Sequence, residues 1–246
     1  MDYMLAYMIL GMRRSGNHMI IQSIIRNFSK VCYYNNITKI TDQMKAENND
    51  KNLFEQAIAE RLCENPKDPS IQAFIFSMED ATLCTYDRFC TSLKSMYGIT
   101  KVINVVVVRD ILNLAASRRV SRHSFNQAQR MTWKSHVNVS APNILVLYNK
   151  YITSEDYRQE IAKKLEVKEM TLGDKVAMYG GGSSYAPKSN VVQPTNNYLE
   201  RYLGIGRIKN FQPIPDDLIT LSEQVFGLEY TKKQSDTDLM GKVRKC

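Results

Sequence analysis

Residues 3–28 read YMLAYMILGMRRSGNHMIIQSIIRNF, and the interpretation of the whole chain turns on them. Residues 3–10 are apolar and bulky, long enough for a buried strand and too short to cross a membrane. Gly11 ends that run, and Gly16 permits a left-handed or close-approach backbone. Ser15 and Asn17 are good helix N-caps by type. Met19, Ile20, Ser23, Ile24 and Asn27 then recur at helical spacing, with Ile21, Ile25 and Phe28 widening the apolar face. The stretch therefore predicts a strand, a tight polar loop and a helix. A helix N-terminus fronted by Arg13 and Arg14 offers unpaired N–H groups and the positive end of a dipole, which together suit an anion.

Gly11 and Gly16 have the spacing of the two glycines in a Walker A loop. In that loop a Lys for the β/γ-phosphates and a hydroxyl for magnesium follow the second glycine. Here Asn17 and His18 occupy those places. The phosphate cradle is kept and the magnesium ligand is not, which argues against an ordinary nucleotide triphosphatase.

Composition sets the outer bounds. A chain of 246 residues, 43% hydrophobic, can bury one substantial core, and we expect one domain over residues 1–231 with a polar tail at 232–246. The 33 basic against 25 acidic residues give a formal charge of +8, which suits an anionic ligand. Aromatic residues do not interleave with basic runs, so nucleic acid is not expected as a partner. Five cysteines, at 32, 63, 84, 90 and 246, are odd in number and form no C-x-x-C, which fits a reducing compartment. Three histidines without paired spacing give no reason to expect a metal. No signal peptide or membrane-spanning stretch is evident, so a cytoplasmic protein is expected.

Beyond the first helix, residues 33–70 are polar, with an amphipathic segment at 52–63 that reads as a peripheral helix. Residues 73–78 (AFIFSM) form a second apolar run, followed at once by Glu79 and Asp80. Asp80 suits the cap of a helix starting near Thr82, and residues 85–97 look helical. The strongest strand signal is 101–108 (KVINVVVV), whose β-branched run implies burial on both faces, as in a parallel sheet. It passes through Arg109 and Asp110, an N-cap candidate, into the helical stretch 111–122. Ser117 lies two turns into that helix, so its hydroxyl and the Arg109 fork can converge on one phosphate.

His123, Trp133 and His136 fall in a helical region starting near Phe125, and the histidines read as structural or exposed. Residues 143–148 form another buried strand and 154–165 an N-capped helix. Residues 179–187 (YGGGSSYAP) form a glycine-rich turn segment. Residues 196–203 are helical and carry Arg201; Arg207 and Lys209 follow on a glycine-flanked loop. Residues 215–226 make a last amphipathic helix that Gly227 ends. The alternation of buried strands and helices predicts an α/β fold: a single domain with a parallel, doubly wound sheet.

Two motifs carry a family resemblance. The loop R-R-S-G-N at 13–17 resembles the phosphosulfate loop of sulfotransferases that use 3′-phosphoadenosine 5′-phosphosulfate (PAPS). The segment R-D-x-x-N-x-x-x-S at 109–117 resembles their 3′-phosphate-binding segment. The resemblance implies the P-loop-type α/β fold and PAPS as donor, with 3′-phosphoadenosine 5′-phosphate (PAP) as product. It implies that Arg14 takes the place of the loop lysine at the leaving oxygen, beside Arg13. Backbone amides of Ser15, Gly16, Asn17 and His18 would complete the 5′-phosphate cradle, with Arg109 and Ser117 on the 3′-phosphate. Tyr148 matches a tyrosine near the adenine. Ser183, Ser184 and Tyr185 match a small-hydroxyl-aromatic element over that ring. One of Arg201, Arg207 and Lys209 would close over the 3′-phosphate.

Sulfuryl transfer needs a base for the acceptor hydroxyl. The glycan N-sulfating members place a Glu at the end of the second core strand, which makes Glu79 the expected base, with Asp80 in reserve and His18 third. The same likeness points to a carbohydrate or glycolipid hydroxyl as acceptor. Two rival readings stay open: a nucleoside or nucleotide kinase on the same fold, and a non-catalytic module that binds a 3′,5′-bisphosphate.

Overall fold

The computed structural model describes residues 5–37, 70–97, 99–120, 123, 125–172 and 213–228. The expectations for residues 52–63, Ser183, Ser184, Tyr185, Arg201, Arg207, Lys209 and the tail at 232–246 lie outside the described residues.

β1 (Leu5–Gly11) leads through the loop into α1 (Asn17–Ile25), then β2 (Val31–Tyr34) and β3 (Ala73–Glu79). α2 (Leu83–Tyr97), β4 (Lys101–Val108), α3 (Ile111–Val120) and α4 (Gln127–Val137) follow. β5 (Ile144–Leu147), α5 (Tyr148–Thr153), α6 (Glu155–Leu165) and α7 (Asp216–Phe226) complete the described elements. The strands form a single parallel sheet in the order β2-β3-β1-β4-β5.

Strand pleating sends alternate side chains to opposite faces. Ala6, Met8 and Leu10 of β1 join Phe74, Phe76 and Val106 on one face, under Tyr86 and Phe89 of α2, Leu114 of α3 and Trp133 of α4. Tyr7 and Ile9 join Ile75, Val105 and Val107 on the other, under Ile20, Ile21 and Ile24 of α1 and Ile161 and Leu165 of α6. Helices cover both faces, so the chain is an α/β fold with a doubly wound sheet.

The topology also positions a crevice. From β1 the chain steps outward to β2, returns to β3, and then crosses to β4 on the far side of β1. Loops leaving the carboxyl ends of these central strands part in opposite directions, and open α/β sheets bind ligands there. Gly11, Glu79 and Val107 stand side by side in the register of β1, β3 and β4.

Several local expectations are corrected. Neither Ser15 nor Asn17 caps α1: the N-cap is Gly16, left-handed at φ 100°, with no side-chain cap. Asn17 instead turns its amide back to the Met12 carbonyl at 3.4 Å and fills the space beside Gly11, which has no Cβ. Asp80 does not cap α2, because its carboxylate is drawn to Arg13 and Arg118; the Thr82 hydroxyl accepts the Thr85 N–H at 3.3 Å instead. β2 was not expected: Val31 and Cys32 precede the polar segment read at 33–70, and Tyr33 and Tyr34 open it. The helix expected from Phe125 starts at Gln127 behind an Asn126–Gln129 capping box, leaving His123 outside it. Tyr148 opens α5, where the fifth strand has already ended.

Cys84 is an exposed thiol on α2, and Cys90 a buried one whose Sγ lies 3.5 Å from Asn104 Oδ1. Among the described residues no helix is long and apolar enough to cross a membrane, and no group of His, Cys, Asp or Glu is placed to hold a metal ion.

Candidate active site

The loop from Met12 to Gly16 is the centre of the site. A tight turn closes it, with Ser15 N–H donating to the Met12 carbonyl at 3.0 Å. Arg14 takes a left-handed φ of 74° and Gly16 one of 100°. At Gly16 a side chain is doubly disfavoured: a Cβ would stand 2.1 Å from Tyr148 Cδ2. The Tyr148 ring therefore lies flat against the loop's last glycine. The first intrahelical bonds of α1 run from Met19 and Ile20 to the Gly16 carbonyl. The amides ahead of them, at Asn17 and His18, belong to the turn for which a helix has no internal acceptor.

Arg109, at the tip of β4, is only 3% exposed. Its Nη1 donates to the Arg14 carbonyl at 3.4 Å, and its guanidinium carbon sits 5.2 Å above the Tyr148 ring, a cation–π geometry. Arg109, Tyr148, Gly16 and Arg14 thus form one packed chain of contacts. Ser117 is buried on α3, eight residues after Arg109. The base of this chain is fixed by a buried polar network. Asp110, fully buried, accepts from Asn113 N–H at 2.9 Å and so caps α3 as expected. Asn149 Nδ2 donates to Asp110 Oδ2 at 2.8 Å, and Asp110 N–H returns to Asn149 Oδ1 at 3.3 Å. Asn149 follows Tyr148, so this exchange sets where the tyrosine ring falls.

The two carboxylates at the end of β3 face different surroundings. Asp80 accepts from Arg118 Nη1 at 2.6 Å and Nη2 at 3.3 Å, and from the Arg13 N–H at 3.1 Å. It is fully committed. At Glu79, Arg13 Nε stands 3.5 Å from Oε2, and Asn36 Nδ2 donates to the same oxygen at 3.3 Å. Burial pushes the Glu79 carboxyl above its usual range, with Asp80 adding to the rise and Arg13, Arg14 and Arg118 opposing it. A carboxylate whose proton affinity is raised in a cleft suits general-base work.

His18 Nε2 stands 3.9 Å from Glu79 Oε1, beyond hydrogen-bond length, and Tyr33 OH faces its Nδ1 at 3.4 Å. Burial, with Arg14 nearby, lowers the imidazole pKa and keeps it neutral. Burial pushes the Tyr33 phenol up to about 12, and Glu79 adds to the rise. Arg14 is lowered by its own burial, an effect that Glu79 opposes. His136 is enclosed in α4, with Nε2 3.0 Å from the Ala81 carbonyl, a structural role.

The structure brings Arg13, Arg14, Ser15, Gly16, Asn17, His18, Glu79, Arg109 and Tyr148 to one end of the sheet. Arg13 points its guanidinium at the two carboxylates, a different task from the anion contact expected of it. Sequence reasoning missed Arg118, Tyr33, Asn36 and Asn149. For Arg118 a signal existed: an Arg-Arg pair on an otherwise apolar helix must turn one member inward. For the others the sequence carries none.

No protein-family model and no curated protein matches the chain. Among solved structures it is similar to an unliganded sugar kinase from Janibacter sp. HTCC2649, at 10% identity and a TM-score of 0.42, over 67% of this chain and 96% of that one. A likeness of that strength carries no argument about activity.

Proposed function

We propose that the chain is a PAPS-dependent sulfotransferase acting on an acceptor hydroxyl, of carbohydrate or glycolipid type. The supporting observation is an arginine-bearing anion loop at the switch point, directly beside Glu79, a partly buried carboxyl whose proton affinity burial raises. The site offers no Lys or hydroxyl after Gly16 for a magnesium nucleotide. It offers amides and permanent cations, which suit a leaving phosphate.

The acceptor oxygen attacks sulfur in line, forming the new S–O bond. The bond from sulfur to the 5′-phosphate oxygen breaks, and its electron pair leaves with PAP. Glu79 takes the acceptor's proton. Arg14 and the amides of Gly16, Asn17 and His18 meet the charge growing on the leaving oxygen, where fixed donors lower the barrier most, while the Ser15 N–H stays on the Met12 carbonyl and holds the turn. Arg109 and Ser117 bind the 3′-phosphate, and Tyr148 borders the adenine while bracing Gly16. Asp80, neutralised by Arg118, is left out of proton transfer.

Release of PAP from PAPS, measured against a panel of mono- and oligosaccharide acceptors, tests the reading. A working acceptor should show turnover that falls about 10²–10⁴-fold in Glu79→Gln, the range of a lost general base. Undiminished turnover in that variant would remove Glu79 from the chemistry.

A further inference from the structure

One ion pair, its arginine buried and its aspartate partly exposed, holds both backbone polar groups of Arg13. The Arg13 N–H donates to Asp80 Oδ1 at 3.1 Å, and Arg118 Nη1 donates to the Arg13 carbonyl at 3.4 Å. Between them, Arg118 and Asp80 close a two-point contact at 2.6 and 3.3 Å. Arg118 is 2% exposed, and its guanidinium carbon sits 5.9 Å over the Phe125 ring. On the other side, the Asp80 N–H donates to the Gly11 carbonyl at 3.1 Å, tying β3 to the start of the loop.

Two non-glycine residues here adopt left-handed backbone: Arg14 at φ 74° and Asp80 at φ 60°. Such conformations persist only where the surroundings over-determine them. Asp tolerates the region better than most residues, whereas Arg14 has no local reason to enter it. Arg13, the residue immediately before Arg14, is the one gripped at both its N–H and its carbonyl. A buried ion pair is weak evidence for stability, since apolar residues of similar volume commonly serve as well. An apolar pair would not hold an N–H and a carbonyl of the loop.

We propose that Arg118 and Asp80 form a latch that sets the 12–16 loop in its anion-binding shape, making both positioning residues for the transferred or leaving anion. The latch also gives the two adjacent carboxylates different tasks: Asp80 grips the loop backbone, whereas Glu79 meets the Arg13 side chain and Asn36. The claim concerns the loop itself and rests on the proposed function only where PAP is used as a probe.

The test uses the full chain and three variants: Arg118→Met, which keeps the stem, Arg118→Lys, which keeps the charge, and Arg119→Met, an exposed neighbour on the same helix. Amide hydrogen exchange is followed in the free protein, and PAP affinity is measured by calorimetry. In Arg118→Met the loop amides should exchange at least about tenfold faster while those of β1 and β4 are unchanged, and PAP should bind at least about tenfold more weakly. Arg118→Lys should fall between, and Arg119→Met should match wild type.

Unchanged loop exchange in Arg118→Met overturns the latch, and so does a uniform rise across the sheet, which marks a merely structural role. If Arg118→Met fails to fold, Asp80→Asn is read by the same criteria. If wild type does not bind PAP, the sulfotransferase reading falls, and loop exchange alone decides the latch.

Discussion

Replacing Gly16 by alanine tests whether the loop has the shape described. Gly16 sits at φ 100°, ψ 13°, and an added Cβ would lie 2.1 and 2.2 Å from Cδ2 and Cε2 of Tyr148. A left-handed L-residue costs about 1–2 kcal/mol. Forcing a methyl group against a ring this well buried adds about 1–3 kcal/mol, because the ring must leave its rotamer or the loop must shift. The sum is about 2–5 kcal/mol, which for a chain of this length lowers Tm by about 4–20 °C. The two terms separate in a double-mutant cycle. With Tyr148→Ala in place the clash is gone, and Gly16→Ala should then cost only the backbone term of about 1–2 kcal/mol. Thermal melts of the four proteins measure both quantities. Equal cost of Gly16→Ala in the two backgrounds would refute the packing of Tyr148 on the loop, and a cost near zero would refute the left-handed backbone as well.

Further outcomes follow from the same geometry. Burial raises the Glu79 pKa above its unfolded value, so Glu79 favours the fold while protonated, and that contribution is lost as pH rises through the folded pKa. Glu79→Gln should therefore gain thermal stability relative to wild type as pH goes from about 4 to about 7, and a constant difference would contradict the burial argument. Asp110→Ala strips the cap of α3 and removes the buried carboxylate that the Asn113 and Asn149 amides donate to. It should cost about 3 kcal/mol or more in urea unfolding, and under about 1 kcal/mol would show the network to be incidental. Trp133 is the single tryptophan, 1% exposed, with Nε1 donating to the Arg109 carbonyl at 2.8 Å. Its emission should be blue-shifted and resistant to iodide, and Trp133→Phe should destabilise by about 1 kcal/mol.

The sheet was legible because its signals are local. The run 101–108 is β-branched throughout, and the structure returns β4 over the same residues. Residues 73–78 lie inside β3, and the helix after the loop begins at Asn17, two residues ahead of the apolar period. β2 was not legible: its four residues, Val-Cys-Tyr-Tyr, become an edge strand only because β3 offers a partner. Capping misled at Ser15, Asn17 and Asp80. Each residue type caps well in isolation, yet the helix starts after Gly16, which leaves Ser15 one residue short; Asn17 turns to the Met12 carbonyl and the space beside Gly11, and Asp80 to the Arg118 fork. The loop's glycines were read from spacing. That Gly16 is required by a tyrosine 132 positions later is a fact of packing, which spacing does not encode.

The proposed donor is most directly tested by thermal shift with PAP, with ADP and with Mg-ATP, on wild type and Arg109→Ala. A ligand held only by the native state stabilises it by mass action, about 2.7 kcal/mol at a hundred times its Kd, or roughly 5–10 °C here. Stabilisation by PAP alone, lost in Arg109→Ala, is the result the account predicts. Preference for Mg-ATP, or no response to any of the three, would contradict it.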